Sequence, residues 1–323
     1  MSLRTLSHSL ISLLLTTGCS LALAQAGYPN KPLRFVVSYP PGGPTDILSR
    51  ELVRPLTEAL GQPVVVENRA GAAGTLGNDN VAKAPPDGYA LVLATSTMSI
   101  QDTLVAKLPY DTLRDFTFVA TVASGPLLLV VPASGPVHNV RDLIALAKQK
   151  PGALSYASPS SGSANHLSAE LLKTNTGIDV VHVPYKGAAP AEIDLIGGRV
   201  HFMFHTIAAA LSKVKSGQLR ALAVSSAKRS PVLPDVPTVG ETVPGFESLT
   251  WYGVLAPAGL PGEITRRLNA EVNKALALPA FKDKLFTLGM EPMPGTPAQF
   301  VDFYRDDAVK WGKLVKTSGA KAD

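Results

Sequence analysis

The stretch "LRFVVSYPPGGPTD" (residues 33–46) decides the fold, because an apolar run leads directly into a glycine- and proline-rich loop. The run predicts a buried strand, and the apolar stripe within "ILSRELVRPLTEALG" (47–61) predicts a helix after the loop. Asp46 is the predicted N-cap of this helix. Gly42 and Gly43 carry no Cβ, so the backbone can approach a ligand closely. Because the first N–H groups of a helix are unpaired, such a loop can bind an anion without any basic side chain.

The chain contains this arrangement twice. Each half reads as a strand, a loop of small residues, a helix, a strand, a second loop of small residues, a helix and a third strand. The predicted strands of the two halves are 33–37, 63–67 and 89–95, followed by 154–158, 179–184 and 199–205. This order is the unit of a parallel, doubly wound sheet with helices on both faces. The sequence therefore predicts an α/β fold made of two doubly wound domains.

Two further segments resemble each other and mark the predicted crossings between the domains. "PLLLVVPASGPVHNVRDLIALAK" (126–148) and "WYGVLAPAGLPGEITRRLNAEVNKAL" (251–276) both read as a strand, a Pro-Ala-x-Gly-x-Pro turn and an amphipathic helix. We interpret their strands as the two connections of a hinge. Domain one is then predicted to contain residues 27–126 and 247–323, and domain two residues 127–246.

Ligands of open α/β sheets bind beyond the carboxyl ends of the strands. In two facing sheets the comparable loops meet in one cleft, and closure of a hinge would trap a ligand between them. The predicted cleft loops are 39–46, 68–75 (ending in Gly74 and Thr75), 158–166 (with the hydroxyls of Ser160, Ser161 and Ser163) and 184–190. Glycine turns also close βα units without binding anything. Their occurrence at equivalent positions of both halves favours the binding of a small carboxylate.

The N-terminal residues 1–26 have the three-part pattern of a secretory signal peptide. A single arginine precedes a short apolar core, and the small-residue sites "ALA" and "AQA" follow it. We predict cleavage after Ala24 or Ala26 and export to the periplasm, with lipid attachment at Cys19 as the alternative. Cys19 is the only cysteine, so cleavage after Ala24 or Ala26 excludes disulfides and cysteine chemistry from the mature protein.

Composition and charge exclude several classes of protein. Of the 323 residues 46% are hydrophobic and 17% are charged, which is typical of a well-cored globular protein. The formal net charge is +5, but the basic residues are scattered and do not alternate with aromatics as on a nucleic-acid surface. No strand is followed by a G-x-S-x-G elbow, a Walker motif or a dinucleotide fingerprint. We therefore predict no nucleic-acid partner, no cofactor and no catalytic residue.

The strand "VHFMFHT" contains two histidines. Its alternation places His201, Met203 and His205 on one face and Phe202 and Phe204 on the other. A metal site would need a third ligand or helical spacing, and the sequence offers neither. We predict no metal site, and we expect His205 to line the floor of the cleft.

Other side chains at strand ends are candidate walls of the cleft. Tyr39 follows the first strand, and Tyr185 follows the strand that ends near residue 184. Tyr185 is predicted to wall the cleft and to donate its hydroxyl. Lys186 is either a second contact or a solvated surface charge, and the sequence does not choose between these readings.

Several longer motifs occur in one order along the chain. They are "YPNKPLRFVVSYPPGGPTD", "LGQPVVVENRAGAAG", "VAKAPPDGYALVLAT", "KLPYDTLRDF", "YASPSSGSANHLSAELLK", "VHVPYKGAAPAEIDLIGGRVHFMF" and "LRALAVSSAKRSPVLPDVPTVGE". Together they resemble the Bug family of extracytoplasmic solute receptors, the substrate-binding components of tripartite tricarboxylate transporters. The resemblance extends from Tyr28 to the final helix around Trp311.

The resemblance implies a periplasmic, two-domain Venus-flytrap fold of the periplasmic-binding-protein type II. It implies small carboxylate ligands, held by backbone and hydroxyl donors, and the membrane components of the transporter as partners; we expect a monomer. Carried over to this chain, the ligand-binding residues are Pro41, Gly42, Gly43, Thr45, Asp46, Ser161, Gly162, Ser163, Asn165 and His166, with Pro184, Tyr185, Lys186 and Gly187 beside the cleft.

One position departs from the family pattern. Members of the family usually carry an aspartate after "MF", whereas this chain has His205. A histidine can donate to an anion, so we expect a preference for a more anionic, dicarboxylic or aromatic carboxylate ligand. Transport binding is the leading function. The alternatives are a periplasmic ligand sensor for a signalling partner and a secreted α/β hydrolase.

Overall fold

The computed structural model describes residues 27–321. The predicted signal peptide and Cys19 lie outside the described residues. Within the described part, no helix combines the length and the apolar character needed to cross a membrane.

Strands and helices alternate along most of the described chain. The strands are β1 (Leu33–Val37), β2 (Val64–Asn68), β3 (Ala90–Thr95), β4 (Phe116–Pro132), β5 (Leu154–Ser158), β6 (Val180–Pro184), β7 (Phe202–Thr206), β8 (Leu219–Val224), β9 (Leu249–Pro257) and β10 (Glu291–Pro292). The helices are α1 (Pro44–Leu60), α2 (Thr75–Ala82), α3 (Thr97–Leu104), α4 (Thr112–Asp115), α5 (Val140–Gln149), α6 (Ala164–Thr176), α7 (Ala188–Ile196), α8 (Ile207–Lys215), α9 (Gly262–Ala277), α10 (Pro279–Thr287) and α11 (Pro297–Ser318). Short 3-10 turns lie at Ala72–Gly74 and Val239–Glu241.

The predicted repetition of the two halves is confirmed by the strand pairing. Strand β1 runs parallel to β2 and β3, and β5 runs parallel to β6 and β7 in the same way. The whole order is β2-β1-β3-β9-β4-β7-β5-β6, with β8 and β10 also paired to β4. Helices cover the parallel strands, which explains why those strands are short runs rich in valine and leucine. The α/β fold expected from the sequence is confirmed.

Strand β4 is shared by the two halves. Its residues 116–126 pair with β9, whereas residues 127–132 pair with β7 and β8. The predicted domain boundary at 126/127 coincides with this change of partners. The boundaries as a whole stay a prediction.

Each half has its own apolar core. Phe35, Leu93 and Val254 belong to a cluster on the first half of the sheet. The alternation predicted for β7 is confirmed, because Phe202 and Phe204 pack into one cluster of the second half while Met203 packs into another. Strands buried on both faces give a core on each side of the sheet.

Helices α3 and α11 join the two halves, which the sequence did not predict. Early in α11, Phe300 and Tyr304 pack with Trp251 in a cluster of the first half. Two turns later Trp311 packs into the main cluster of the second half, which also contains Ile100 of α3. The two domains are therefore held together by side-chain packing as well as by the shared strand.

Several element boundaries differ from the predicted ones. Helix α1 begins at Pro44 with Gly43 as its N-cap, so the prediction that Asp46 is the N-cap is wrong. Proline is favoured at the first position of a helix, because its missing N–H would be unpaired there anyway. Helix α6 begins at Ala164, three residues earlier than predicted, and β7 spans 202–206.

Candidate functional site

The first candidate loop folds around Gly42, whose φ of +82° lies in the left-handed region that favours glycine. The N–H of Gly42 donates to the Asp46 carboxylate over 3.0 Å. Arg50 and Asn68 donate to the same carboxylate over 3.0 and 2.9 Å. Burial disfavours the charged form, but these hydrogen bonds outweigh burial and lower the pKa of Asp46. Asp46 is therefore ionised, and its carboxylate accepts hydrogen bonds from groups within the protein.

The loop of the second half repeats this geometry with different chemistry. Gly162 has a φ of +76°, and its N–H donates to Nδ1 of His166 over 3.0 Å. Asp46 and His166 are each the third residue of their helix, four positions after the glycine. Burial and the neighbouring His182 lower the pKa of His166 to about 3, so the ring is neutral at physiological pH. Only an unprotonated Nδ1 can accept the glycine N–H.

Unpaired N–H groups remain at both helix ends. The first N–H groups of a helix have no acceptor within it. In α1 they include those of Thr45 and Asp46, because Gly43 caps the helix without a side-chain hydrogen bond. In α6 they include those of Ala164 and Asn165, because the Ser163 side chain accepts the N–H of the third residue only. Each of these helix ends can therefore stabilise a negatively charged group through its amide donors.

The neighbouring turn 71–74 has an unusual backbone. Ala72 and Ala73 have φ values of +46° and +51°, a region that residues with a Cβ rarely adopt. The side chain of Gln101 in α3 supports this turn by donating to the Ala73 carbonyl over 3.1 Å. Such strain persists only where the surroundings fix it, so Gln101 is a positioning residue of this turn.

Tyr39 connects the first loop to this turn. Its hydroxyl lies 2.9 Å from the Thr95 hydroxyl, and burial raises its pKa. A Cβ on Gly74 would lie 3.2 Å from the Tyr39 hydroxyl oxygen, so a larger residue there would press on the ring. The Tyr39 carbonyl accepts from the Asn68 side chain over 3.1 Å. Loops 39–46 and 68–75 are thus brought together as predicted.

The loop 184–187 is attached to the loop 158–166 by backbone bonds. The N–H groups of Tyr185 and Gly187 donate to the carbonyls of Ser158 and Pro159 over 2.9 and 2.8 Å. The Tyr185 hydroxyl, however, donates to Asp194 over 2.8 Å, which corrects the expectation that it is a free donor. Partial burial and this acceptor raise the pKa of Tyr185 to about 12.

The other members of these loops differ in exposure. Pro41, Pro184 and Lys186 are exposed, which favours a solvated charge for Lys186. Thr45, Thr75, Ser161 and Ser163 are buried, and Ser160 is half-buried. The Ser163 hydroxyl donates to the Ser160 carbonyl over 2.8 Å, and Asn165 donates to the Phe204 carbonyl over 2.7 Å.

His205 is fully buried at the end of β7. Its Nδ1 accepts from the Thr206 N–H over 2.9 Å, so the ring carries a proton on Nε2 and none on Nδ1. Nε2 lies 3.3 Å from a carboxylate oxygen of Glu192, and Lys213 lies 3.7 Å from the other oxygen. The hydrogen bond from His205 lowers the pKa of Glu192. Both ring nitrogens are engaged within the protein, which corrects the expectation that His205 donates to a ligand.

A stack of aromatic rings packs against His166 and so supports the second loop. The rings of His166 and His182 are parallel with centroids 3.8 Å apart, and the Tyr156 ring stacks on His182 at 4.9 Å. The Tyr156 hydroxyl donates to buried Glu170 over 2.5 Å. The stack fixes the imidazole that accepts the Gly162 N–H.

Sequence reasoning placed Ala72 and Ala73 in the loop 68–75 but missed their left-handed conformation, and it missed Gln101. Alanine carries no signal for a left-handed conformation, and α3 follows β3 without a glycine or proline that would have marked it. Within residues 27–321, no group of three or more histidine, cysteine, aspartate or glutamate side chains is placed to hold a metal ion.

Two wound α/β halves that share a long strand and carry matched glycine loops define the class of two-domain solute-binding proteins. The sequence model of the family described as "Tripartite tricarboxylate transporter family receptor" matches residues 48–320. The protein BugT of Bordetella pertussis is 38% identical over 309 residues, which cover 95% of this chain and 95% of BugT. The chain therefore belongs to this receptor family, and the resemblance to the Bug family is confirmed.

Solved structures agree with this assignment. Rpa4515 of R. palustris, solved with adipate, has a TM-score of 0.86 at 39% identity and covers 92% of this chain and 100% of its own. MatC (Rpa3494) of Rhodopseudomonas palustris, solved with bound malate, has a TM-score of 0.81 at 31% identity and covers 89% and 100%. The relatives are binding proteins and receptors, so the chain belongs to a family of solute-binding proteins and not of enzymes.

Proposed function

We propose that this protein is a periplasmic receptor that captures a small organic carboxylate between its two domains. It delivers the acid to the membrane components of a tripartite tricarboxylate transporter. It acts as a monomer, without a cofactor and without a nucleic-acid partner. The observation that carries the proposal is the pair of glycine loops at equivalent positions of the two halves, each followed by a helix N-terminus.

The proposed contacts are main-chain amides rather than charged side chains. The glycine amide of each loop is already bonded to Asp46 or His166. The amides at the helix ends, including those of Thr45 and Asn165, are left for the carboxylate oxygens. A planar carboxylate accepts several N–H bonds, and each helix end adds a favourable dipole.

Two relatives support a carboxylate as the ligand. Adipate and malate, the acids in the structures of Rpa4515 and MatC, are both small dicarboxylates. The proposed domains are residues 27–126 with 247–323 and residues 127–246. Strand β4 and the segment entering β9 form the proposed hinge, and its closure would shield the acid from water.

Binding is tested by thermal and calorimetric titration of the exported protein with a panel of small carboxylic acids and their amides. An acid at 100 times its Kd is expected to raise the free energy of unfolding by about 2.7 kcal/mol, and the matched amide is expected to give no shift. The absence of any shift across the panel would overturn the proposal. Uptake of the labelled acid by cells with and without the gene tests delivery.

A matched pair of glycines separates binding from folding. Gly42 and Gly61 both have positive φ, of +82° and +68°, and both have open space where a Cβ would stand. Gly61 caps the far end of α1, away from the loop. We expect Gly42→Ala to weaken binding about tenfold or more and Gly61→Ala to leave Kd unchanged, with a comparable loss of stability of about 1 kcal/mol.

A further inference from the structure

Helix α3 reaches from the first half of the molecule to the loop of the second half. It begins directly after β3, and Gln101 within it holds the strained turn of loop 68–75 through the Ala73 carbonyl. One turn later Leu104 ends the helix and packs against the core cluster of the second half. The same helix therefore connects the two candidate loop pairs.

Leu104 lies directly against the glycine of the second loop. A Cβ built on Gly162 would stand 2.5 Å from Cδ2 of Leu104, so the leucine methyl is in van der Waals contact with the glycine backbone. Ile100, one turn earlier on the same face of α3, is fully buried, whereas Leu104 is half-buried. Leu104 is thus the outermost apolar side chain of this contact and borders the loop.

Several polar side chains of the second loop already have partners within the protein. His166 is neutral and accepts from Gly162, and the Ser163 hydroxyl donates to the Ser160 carbonyl. The Asn165 amide group donates to the Phe204 carbonyl. Leu104 therefore places an apolar surface against Gly162, two residues before α6 begins.

We infer that Leu104 is a specificity-determining residue that selects against acids with a polar substituent next to the carboxylate. The inference rests on the proposed function. A carboxylate held by the amides of the second loop has its adjacent carbon beside the Leu104 methyl groups. A hydroxyl or amino group on that carbon loses its water and finds no partner at the leucine. Acids with a plain CH₂ next to the carboxylate bind better.

Two matched pairs of acids test the inference by calorimetry on the exported protein. Hexanoate is compared with 2-hydroxyhexanoate, and adipate is compared with 2,5-dihydroxyadipate, which carries a hydroxyl next to both carboxylates and cannot escape by reversing its direction. The wild type is expected to bind the plain acid of a pair at least about tenfold more tightly. Equal affinities within both pairs, or no binding of any of the four acids, would overturn the inference.

Variants at position 104 test whether Leu104 causes the preference for the plain acid. Leu104→Asn supplies a partner for the hydroxyl and is expected to reduce the ratio of affinities about tenfold, while Leu104→Met keeps an apolar side chain and the wild-type ratio. Leu278→Asn, at an exposed leucine between α9 and α10, is the control and keeps the ratio. If Leu104→Asn does not fold, Leu104→Ala is the substitute variant. It is expected to reduce the ratio of the affinities for the plain acid and the hydroxy acid, because water can enter the space that the leucine side chain leaves.

The outcomes separate the inference from the proposed function. A wild-type ratio retained in Leu104→Asn or in Leu104→Ala refutes the role of Leu104 and leaves carboxylate binding intact. Failure of the whole acid panel refutes both.

Discussion

His166 is expected to make the protein sensitive to mild acid. Its pKa is about 3 in the folded protein against an ordinary value of 6.5, because burial disfavours the imidazolium. A base with a depressed pKa in the folded state contributes stability that is present above pH 6.5 and is lost as pH falls toward 3. Each pH unit in that window costs about 1.4 kcal/mol. The loss attributable to His166 is therefore about 2 kcal/mol at pH 5.

The assay is urea denaturation of wild type and His166→Asn at pH 7.5 and pH 5. Asparagine can accept the Gly162 N–H through its side-chain oxygen, as Asp46 accepts the N–H of Gly42 in the first loop. The variant is expected to be somewhat less stable at pH 7.5, because it loses the stack on His182, but to lose about 2 kcal/mol less on acidification. Carboxylates that titrate in this range, such as Asp307, do so in the wild type and in the variant alike, so their contribution cancels in the comparison.

A control and a refuting result complete this experiment. His138 is exposed, and His138→Asn is expected to keep the pH dependence of the wild type. If His166→Asn loses as much stability between pH 7.5 and pH 5 as the wild type does, the protonation of His166 is not what links the second loop to pH.

Three further predictions concern packing and burial. Gly253→Ala places a methyl group inside the Phe300 ring and is expected to cost about 1–3 kcal/mol in urea denaturation. Trp311→Ala removes the fully buried ring by which α11 enters the second core, and we expect a loss of about 3–5 kcal/mol by the same measurement. Burial raises the pKa of Asp307, which accepts from the indole of Trp251 over 2.7 Å; an acid with a raised pKa contributes stability that is lost as pH rises. In the wild type, Asp307 is expected to lower the free energy of unfolding as pH rises above about 4. Asp307→Asn removes this contribution, and a variant with the pH profile of the wild type would contradict the prediction.

Local patterns predicted the parts of the fold that depend on neighbouring residues. The apolar runs before Ser38 and Pro159 gave the strands β1 and β5, and the glycines after them gave the loops. The alternation in β7 predicted which phenylalanines share a core. In each case the cause is the regular spacing of side chains in a strand or helix, which can be read within a few residues.

The parts that failed depend on contacts that are distant in sequence. His205 was expected to face a ligand, but its partner Glu192 lies on α7, and no local pattern places the two side chains together. Tyr185 likewise finds Asp194 one element later. The bridging role of α11 depends on Trp311 reaching a core most of whose members lie far earlier in the chain. Ile100, for example, precedes Trp311 by more than 200 residues.

The two loops have the same hydrogen-bonding geometry, but the side chains that accept the glycine N–H differ in charge. Each glycine amide needs an acceptor four residues later, and Asp46 supplies a charged one while His166 supplies a neutral one. Since Asp46 already places a negative charge in the first turn of α1, part of the favourable field of that helix end is used within the protein. No acidic residue stands in the first turn of α6. At the proposed site a ligand carboxylate is therefore better stabilised at the second loop, and the apolar wall that we propose Leu104 to form would act on the carbon next to it. Selectivity in this fold can then change through such walls while the amide donors stay the same.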